Sequence, residues 1–162
     1  MRRFAIALNL LGKHPELPIS ESEFSTISKS LQDLNQLLLL EERFDLLAMN
    51  FLEFETLLTS RLLHFEHLGF VDGNHQMLVR RDANRVLMNV LTAARAYIDQ
   101  LPQILNALFG KESAETNHCK SLLRKAYDER PGYRIFEALR NHTQHSGFPI
   151  HLTSYGTHMI GE

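Results

Sequence analysis

Residues 37–65, LLLLEERFDLLAMNFLEFETLLTSRLLHF, decide the fold of this chain. Apolar side chains recur there at spacings of three and four residues. The members of the stripe are Leu37, Leu40, Phe44, Leu47, Phe51, Phe54, Leu58, Leu62 and Phe65. Such spacing puts them on one face of a helix of about eight turns. The stretch therefore predicts one long helix that packs against other helices.

The sequence before this stretch carries a helix-start signal. Ser20 and Glu23 have the spacing of a capping box, in which each side chain satisfies the other residue's backbone N–H. A helix is predicted to begin there. Its inner face is expected to comprise Phe24, Ile27, Leu31 and Leu34. The pattern leaves open whether this helix is continuous with residues 37–65, and Gly69 is expected to end the long helix.

A second apolar stripe follows between residues 87 and 108. It comprises Leu87, Leu91, Ala94, Ile98, Leu101, Leu105 and Leu108. Asp82 is expected to be the N-cap of this helix and Gly110 its C′ residue. Pro102 lies inside the stripe and is expected to kink the helix or restart it near residue 100. The stripe thus predicts a second long helix.

Two shorter helices are predicted over residues 113–127 and 133–145, the last with Ile135, Phe136 and Leu139 facing the interior. Residues 4–11 fit either a short strand or a first helical turn, and little other β-structure is expected. The predicted fold class is all-α, an antiparallel bundle of four to five helices. We expect one domain over residues 1–162, with a core at about 20–148 and an irregular tail at 149–162.

Composition narrows the function classes. The 162 residues carry a net charge of −2, so the chain as a whole does not attract nucleic acid strongly. Residues 16–66 hold ten acidic and three basic residues, whereas residues 80–145 hold eleven basic and seven acidic ones. The single cysteine, Cys119, excludes an intramolecular disulfide and a CxxC zinc site. With no apolar run near the ~20 residues of a membrane span, we expect a soluble cytoplasmic protein with no membrane partner.

The last predicted helix contains the residues with the clearest chemistry. Arg140 and His145 are five positions apart, and Asn141 and Gln144 lie between them. A guanidinium can grip a phosphate through a planar fork of donors, and an imidazole can exchange a proton near neutral pH. These two groups suffice to cut RNA without a metal, because the ribose 2′-hydroxyl is the nucleophile. The alternative is that the four residues form an ordinary solvated face near a helix end.

The arrangement Arg140-Asn141-x-x-x-His145 resembles the R-x4-6-H motif of the HEPN superfamily. The resemblance extends to three segments of the chain, residues 44–55, 84–99 and 139–149, within roughly residues 40–150. HEPN proteins are helical bundles that are often dimeric. Many of them are metal-independent endoribonucleases in toxin–antitoxin and antiphage systems, and others only bind or scaffold.

The resemblance implies a function and a site. Arg140 and His145 are expected to be the catalytic pair, with Asn141 as helper. Cleavage is expected to leave a 2′,3′-cyclic phosphate, with no metal and no cofactor. The expected partners are an RNA substrate, a second copy of the chain whose motif faces the same cleft, and an antitoxin or other regulatory protein. The alternative functions are a non-catalytic HEPN-like module that binds a protein or a nucleotide, and a purely structural dimer subunit.

Supporting residues are expected on the long helix. Asn50 and Glu53 lie three positions apart beside its apolar stripe, and Glu53 can orient Arg140 or His145 or simply be an exposed helix charge. Gln144 is expected to extend the polar patch of the last helix. Histidine pairs at i, i+3 lack a third ligand, so no metal site is expected. No glycine-rich phosphate loop is present, so nucleotide binding lacks a sequence motif.

Overall fold

The computed structural model describes residues 4–7, 12, 15–69 and 73–153. Among these residues the chain forms four helices and one pair of short antiparallel strands, which confirms the all-α helical bundle. The elements in chain order are β1 (Phe4–Ile6), β2 (Leu17–Ile19), α1 (Glu21–Leu68), α2 (Gly73–Phe109), α3 (Ala114–Glu129) and α4 (Pro131–His145). The open question of helix continuity is answered by α1, a single helix of 48 residues.

The chain divides into two compact units, Met1–Leu39 and Leu40–Glu162. In the first unit β1 pairs with β2 in antiparallel register, with Phe4 opposite Ile19. The predicted capping box is confirmed: the Ser20 backbone N–H donates to Glu23 Oε2 at 2.7 Å, and the Glu23 N–H donates to Ser20 Oγ at 3.2 Å. Hydrogen bonds from the Ser20 backbone and hydroxyl lower the pKa of the Glu23 carboxyl.

The expected inner face at the start of α1 is wrong. Phe24, Ile27, Leu31 and Leu34 are all exposed, to between 40% and 60%. Within the described part of this unit, the two three-residue strands are the only other regular elements, and they are too short to cover a helix face. The ring of Phe24 does contact Phe4, with ring centroids 4.7 Å apart.

In the second unit α1 and α2 run antiparallel beside each other. Successively later residues of α1 contact successively earlier residues of α2. The four contacts are Phe44–Tyr97 with ring centroids 5.8 Å apart, Glu53–Arg85 at 2.8 Å, Arg61–Asp82 at 3.3 Å and His64–His75 with ring centroids 5.0 Å apart. As the residue number rises along α1, that of its partner on α2 falls by a similar amount, as expected for a helical hairpin. This register fixes which part of α1 lies level with which part of α2.

Most of the core lies on α2. Its buried apolar residues are Val79, Ala83, Val86, Val90, Leu91, Ala93, Ala94 and Ile104. The predicted N-cap at Asp82 is wrong, because the helix already begins at Gly73 and continues through Met77 and Val79 without a breaker. Asp82 instead pairs with Arg61 and Arg81. Pro102 lies inside α2 without ending it, and Gly110 has the positive φ (99°) expected of a C′ residue.

The helices α3 and α4 pack against α2 and against each other. Ser113 caps α3 by accepting from the Thr116 N–H, and Pro131 occupies the first turn of α4, where its missing N–H costs nothing. Phe136 and Leu139 are half-buried as predicted, but Ile135 is 60% exposed, so its predicted interior position is wrong. Glu137 faces α2 and receives the Arg95 guanidinium at 3.0 Å, which rotates Ile135 outward.

None of the helices formed by the described residues has a stretch long and apolar enough to cross a bilayer.

Candidate functional site

The last turns of α4 carry the predicted site. The helix ends at His145, where the Ser146 N–H donates to the His142 carbonyl at 2.8 Å. Gly147 follows with φ of 140°, a conformation that side chains other than glycine rarely adopt. The Thr143 hydroxyl donates to the Arg140 carbonyl at 2.7 Å, one turn back along the same helix. The site thus lies at a well-defined helix C-terminus.

Arg140 is half-buried and retains most of its donors. Its Nη1 donates to the Asn141 side-chain oxygen at 3.3 Å. Among the described residues no carboxylate pairs with this guanidinium. The side chain is therefore held near the edge of the bundle, with N–H groups free to bind an anion.

His145 is exposed, and its imidazole makes no hydrogen bond to any other residue that the structure describes. Five positions separate it from Arg140, which corresponds to about 140° around the helix and about 7.5 Å along its axis. The two side chains consequently leave α4 in different directions. Asn141 and Gln144 are exposed beside them. These side chains are accessible to solvent, but within one chain they do not converge on a single point.

Contacts with α2 show which part of α2 lies level with His145. Arg95 pairs with Glu137 at 3.0 Å, and Asn84 binds Ile150 through two hydrogen bonds of 2.9 Å. The chain from 137 to 150 therefore runs antiparallel to α2. Eight residues beyond Glu137, His145 comes level with about residue 87 of α2, because both helices rise ~1.5 Å per residue.

The structure does not join Asn50 and Glu53 to the α4 patch. Glu53 accepts from Arg85 Nη2 at 2.8 Å, and Asn50 Nδ2 donates to the Leu46 carbonyl at 2.8 Å. Both side chains thus have partners on α1 or α2. Arg85 was part of a segment resembling the superfamily, yet spacing alone gave no sign that it would pair with Glu53.

Sequence reasoning missed the residues that fasten the chain after α4. Asn84 is buried, its Nδ2 donates to the Ile150 carbonyl, and its Oδ1 accepts from the Ile150 N–H. Arg80 Nη1 donates to the His151 carbonyl at 2.9 Å, and the ring of His151 lies edge-on to His142, with centroids 5.9 Å apart. The sequence offered no local signal, because Asn84 stands among Arg81, Asp82 and Arg85 in a stretch that looks solvent-exposed.

The other titratable groups show weaker signs of a functional site. Burial raises the pKa of the Cys119 thiol, which keeps it protonated and a poor nucleophile. His64 stacks on His75. No cluster of three or more metal-binding side chains occurs within the described ranges.

Comparisons of the chain with protein-family models, with curated proteins and with solved structures found no match.

Proposed function

We propose that this chain is a metal-independent endoribonuclease of the HEPN type that acts through Arg140 and His145. The observation that carries the proposal is an exposed imidazole and a guanidinium on the last two turns of one helix, where no described carboxylate pairs with the guanidinium. A structural role normally engages such an arginine in an ion pair, as Arg95 is engaged by Glu137 and Asp99. The free donors of Arg140 suit a phosphate instead.

The proposed reaction is transesterification followed by product release. The ribose 2′-oxygen attacks phosphorus, a 2′,3′-cyclic phosphate forms, and the bond to the 5′-oxygen breaks. One imidazole takes the proton of the 2′-hydroxyl, and a second gives a proton to the 5′-oxygen, so the product has a 5′-hydroxyl. Arg140 stabilises the negative charge of the pentacoordinate transition state. Asn141 accepts from Arg140 and holds its orientation.

The catalytic unit that we propose is a homodimer. One chain supplies one His145 and directs it away from Arg140, so two copies around one phosphodiester provide both proton-transfer groups. A surface for the second copy is available on α1. Six exposed apolar side chains lie within a sector of about 140° around this helix: Phe51, Leu52, Leu58, Leu62, Leu63 and, at the border with α2, Phe44, whose ring also contacts Tyr97.

The area of this surface suits a dimer. The six side chains are 43–65% exposed, which leaves ~500 Å² of apolar surface in contact with water. That area is at the upper end of what monomers expose, and a stable interface buries roughly 800 Å² per partner, polar rim included. Because Glu53 pairs with Arg85, the middle of the sector is level with His145. A twofold axis there places both imidazoles at one height.

A cleavage assay tests the proposal. We expect His145→Ala and Arg140→Ala each to lower the rate of RNA cleavage by ~10²–10⁴-fold, with products that carry a cyclic phosphate. Matched controls are His118→Ala and Arg124→Ala, which remove exposed side chains of the same types from α3. Cleavage by either site variant at the rate of the parent would reject the catalytic pair.

The divergence of Arg140 and His145 favours one alternative, a non-catalytic HEPN-like module that binds a partner protein or a nucleotide. The same four variants separate the two functions. Binding without any cleavage by the parent, at an affinity unchanged in His145→Ala, would support the module.

A further inference from the structure

A pocket of about 580 Å³ lies along the N-terminal half of α2, on the face away from the buried stripe, and Phe148 forms one side of it. Met77 and Met88 contribute to its apolar surface. Phe148 is 62% exposed and Met77 54% exposed, so the apolar surface is open to solvent. The volume lies within the ~300–1,000 Å³ typical of small-ligand sites.

The pocket is lined mainly by apolar atoms, and positively charged groups surround it. Three arginines line it, Arg80, Arg81 and Arg85. Asp82 forms ion pairs with both Arg81, at 3.1 Å, and Arg61, at 3.3 Å, and Glu53 forms an ion pair with Arg85. Arg80 binds only a backbone carbonyl among the described residues. Two carboxylates therefore face four guanidinium groups, and the surplus of positive charge favours an anionic ligand.

The aromatic ring at the pocket is held in place before any ligand arrives. Phe148 lies two residues before Ile150, whose N–H and carbonyl are both bound by Asn84 at 2.9 Å. The next carbonyl, of His151, is bound by Arg80. An exposed ring on a fastened segment is a ready stacking surface, because little conformational entropy is lost when a planar group binds to it.

The pocket adjoins the end of α4. Phe148 follows His145 by three residues, and Met88 of the pocket is at the height of His145 on α2. A chain whose scissile phosphate lies at His145 would therefore place a neighbouring nucleotide at the pocket. An apolar floor, an aromatic ring and surplus arginines together match an unpaired base and its phosphates.

We propose that this pocket binds an unstacked base of single-stranded RNA beside the scissile phosphate. The base stacks on Phe148, and the adjacent phosphates bind the arginines. The proposal rests on the proposed function for its location next to the cleavage point, but its binding step can be tested separately.

Fluorescence anisotropy with a labelled single-stranded RNA tests the site, using His145→Ala protein so that the RNA stays intact. We expect Phe148→Ala to weaken binding by about tenfold and Phe148→Tyr to preserve it, because stacking needs only an aromatic face. Arg81→Gln is expected to weaken binding and to reduce the slope of log affinity against log salt by ~1. Phe109→Ala and Arg124→Gln, which alter exposed side chains away from the pocket, are the controls.

A second measurement keeps the test independent of protein folding. An RNA with abasic nucleotides in place of the bases is expected to bind the unaltered pocket about tenfold more weakly, and equally to both Phe148 variants. Equal affinity of intact and abasic RNA, or no effect of Phe148→Ala in a protein with normal circular dichroism, would overturn the proposal. Cleavage by the parent in that case would leave the proposed function standing. Conversely, base-dependent binding by a parent protein that does not cleave RNA would support the binding pocket and reject the proposed ribonuclease function.

Discussion

Two fully or nearly buried polar side chains show how individual residues fix local structure. Thr116 has no exposed surface, and its hydroxyl donates to the Gly110 carbonyl at 3.1 Å, so it ties the start of α3 to the end of α2. Asn84 does the same for the chain after α4. The hydrogen bonds of each side chain offset the free-energy cost of removing it from water, and they satisfy backbone groups that would otherwise lack partners.

Thr116→Val is expected to lower the free energy of unfolding by about 1–3 kcal/mol, because the isosteric methyl cannot donate to the Gly110 carbonyl. Urea denaturation measures the change. Thr116→Ser keeps the hydroxyl and is expected to lose less. Equal stability of the valine variant and the parent would show that this hydrogen bond contributes nothing net.

Cys119 is expected to react slowly with a thiol reagent in the native protein. Burial raises the pKa of its thiol, so at pH 7 to 8 the thiolate is scarcer than in a free cysteine. Colour development with a disulfide reagent should be at least tenfold faster after unfolding in guanidinium chloride. Equally fast reaction in both states would contradict the buried position.

The long helix α1 has no fully buried face. None of its 48 residues is buried, although apolar side chains occupy more than one of its faces. A helix that is apolar on several sides is normally enclosed by other helices. From Leu40 onward, α2 covers one side through the contacts described above, and the sector around Phe51 stays open. That imbalance is the reason for assigning the sector to a second copy.

Phe51→Glu is expected to shift the protein from dimer to monomer, because a charge in the middle of the sector would be desolvated in the interface. Light scattering after size exclusion measures the mass. Leu46→Glu is the matched control, since Leu46 is 57% exposed and lies on the opposite side of the helix from the sector. A dimer that survives Phe51→Glu, or a parent protein that is already monomeric, would refute this surface.

Charge is unevenly distributed along the chain. The chain has a net charge of −2, yet three arginines line the pocket that Phe148 borders, and the proposed catalytic residues lie beside it. The surplus of positive charge there suits a polyanion. The catalysis that we propose at that side requires side chains from two chains.

Mixing the parent with an excess of His145→Ala protein is expected to lower the cleavage activity per parent chain. A mixed dimer has one imidazole around the phosphodiester instead of the two that the proposed reaction uses, so one proton transfer loses its catalyst. Unfolding and refolding the mixture allows subunits to exchange, and native mass spectrometry of mass-labelled chains confirms mixed dimers. Parent chains that keep full activity in mixed dimers would show that the site is confined to one chain.

Most helix ends could be predicted from the sequence, because helix periodicity and capping depend on residues only three or four positions apart, but the start of α2 and the continuity of α1 could not. The Ser20–Glu23 capping box, the end of α2 at Gly110 and the end of α4 at His145 were all predictable in this way. The Arg140 and His145 pair was also selected from sequence, by its residue types and spacing, and its proposed function stays a prediction.

The tertiary structure settled which residues contact each other. It turned Ile135 outward, enclosed Asp82 within α2 between two arginines, and paired Glu53 with Arg85 rather than with the α4 patch. It also brought Phe148 against arginines more than sixty positions earlier to form the pocket. Such contacts join residues far apart in the chain, so they follow from how helices pack, which no local pattern encodes.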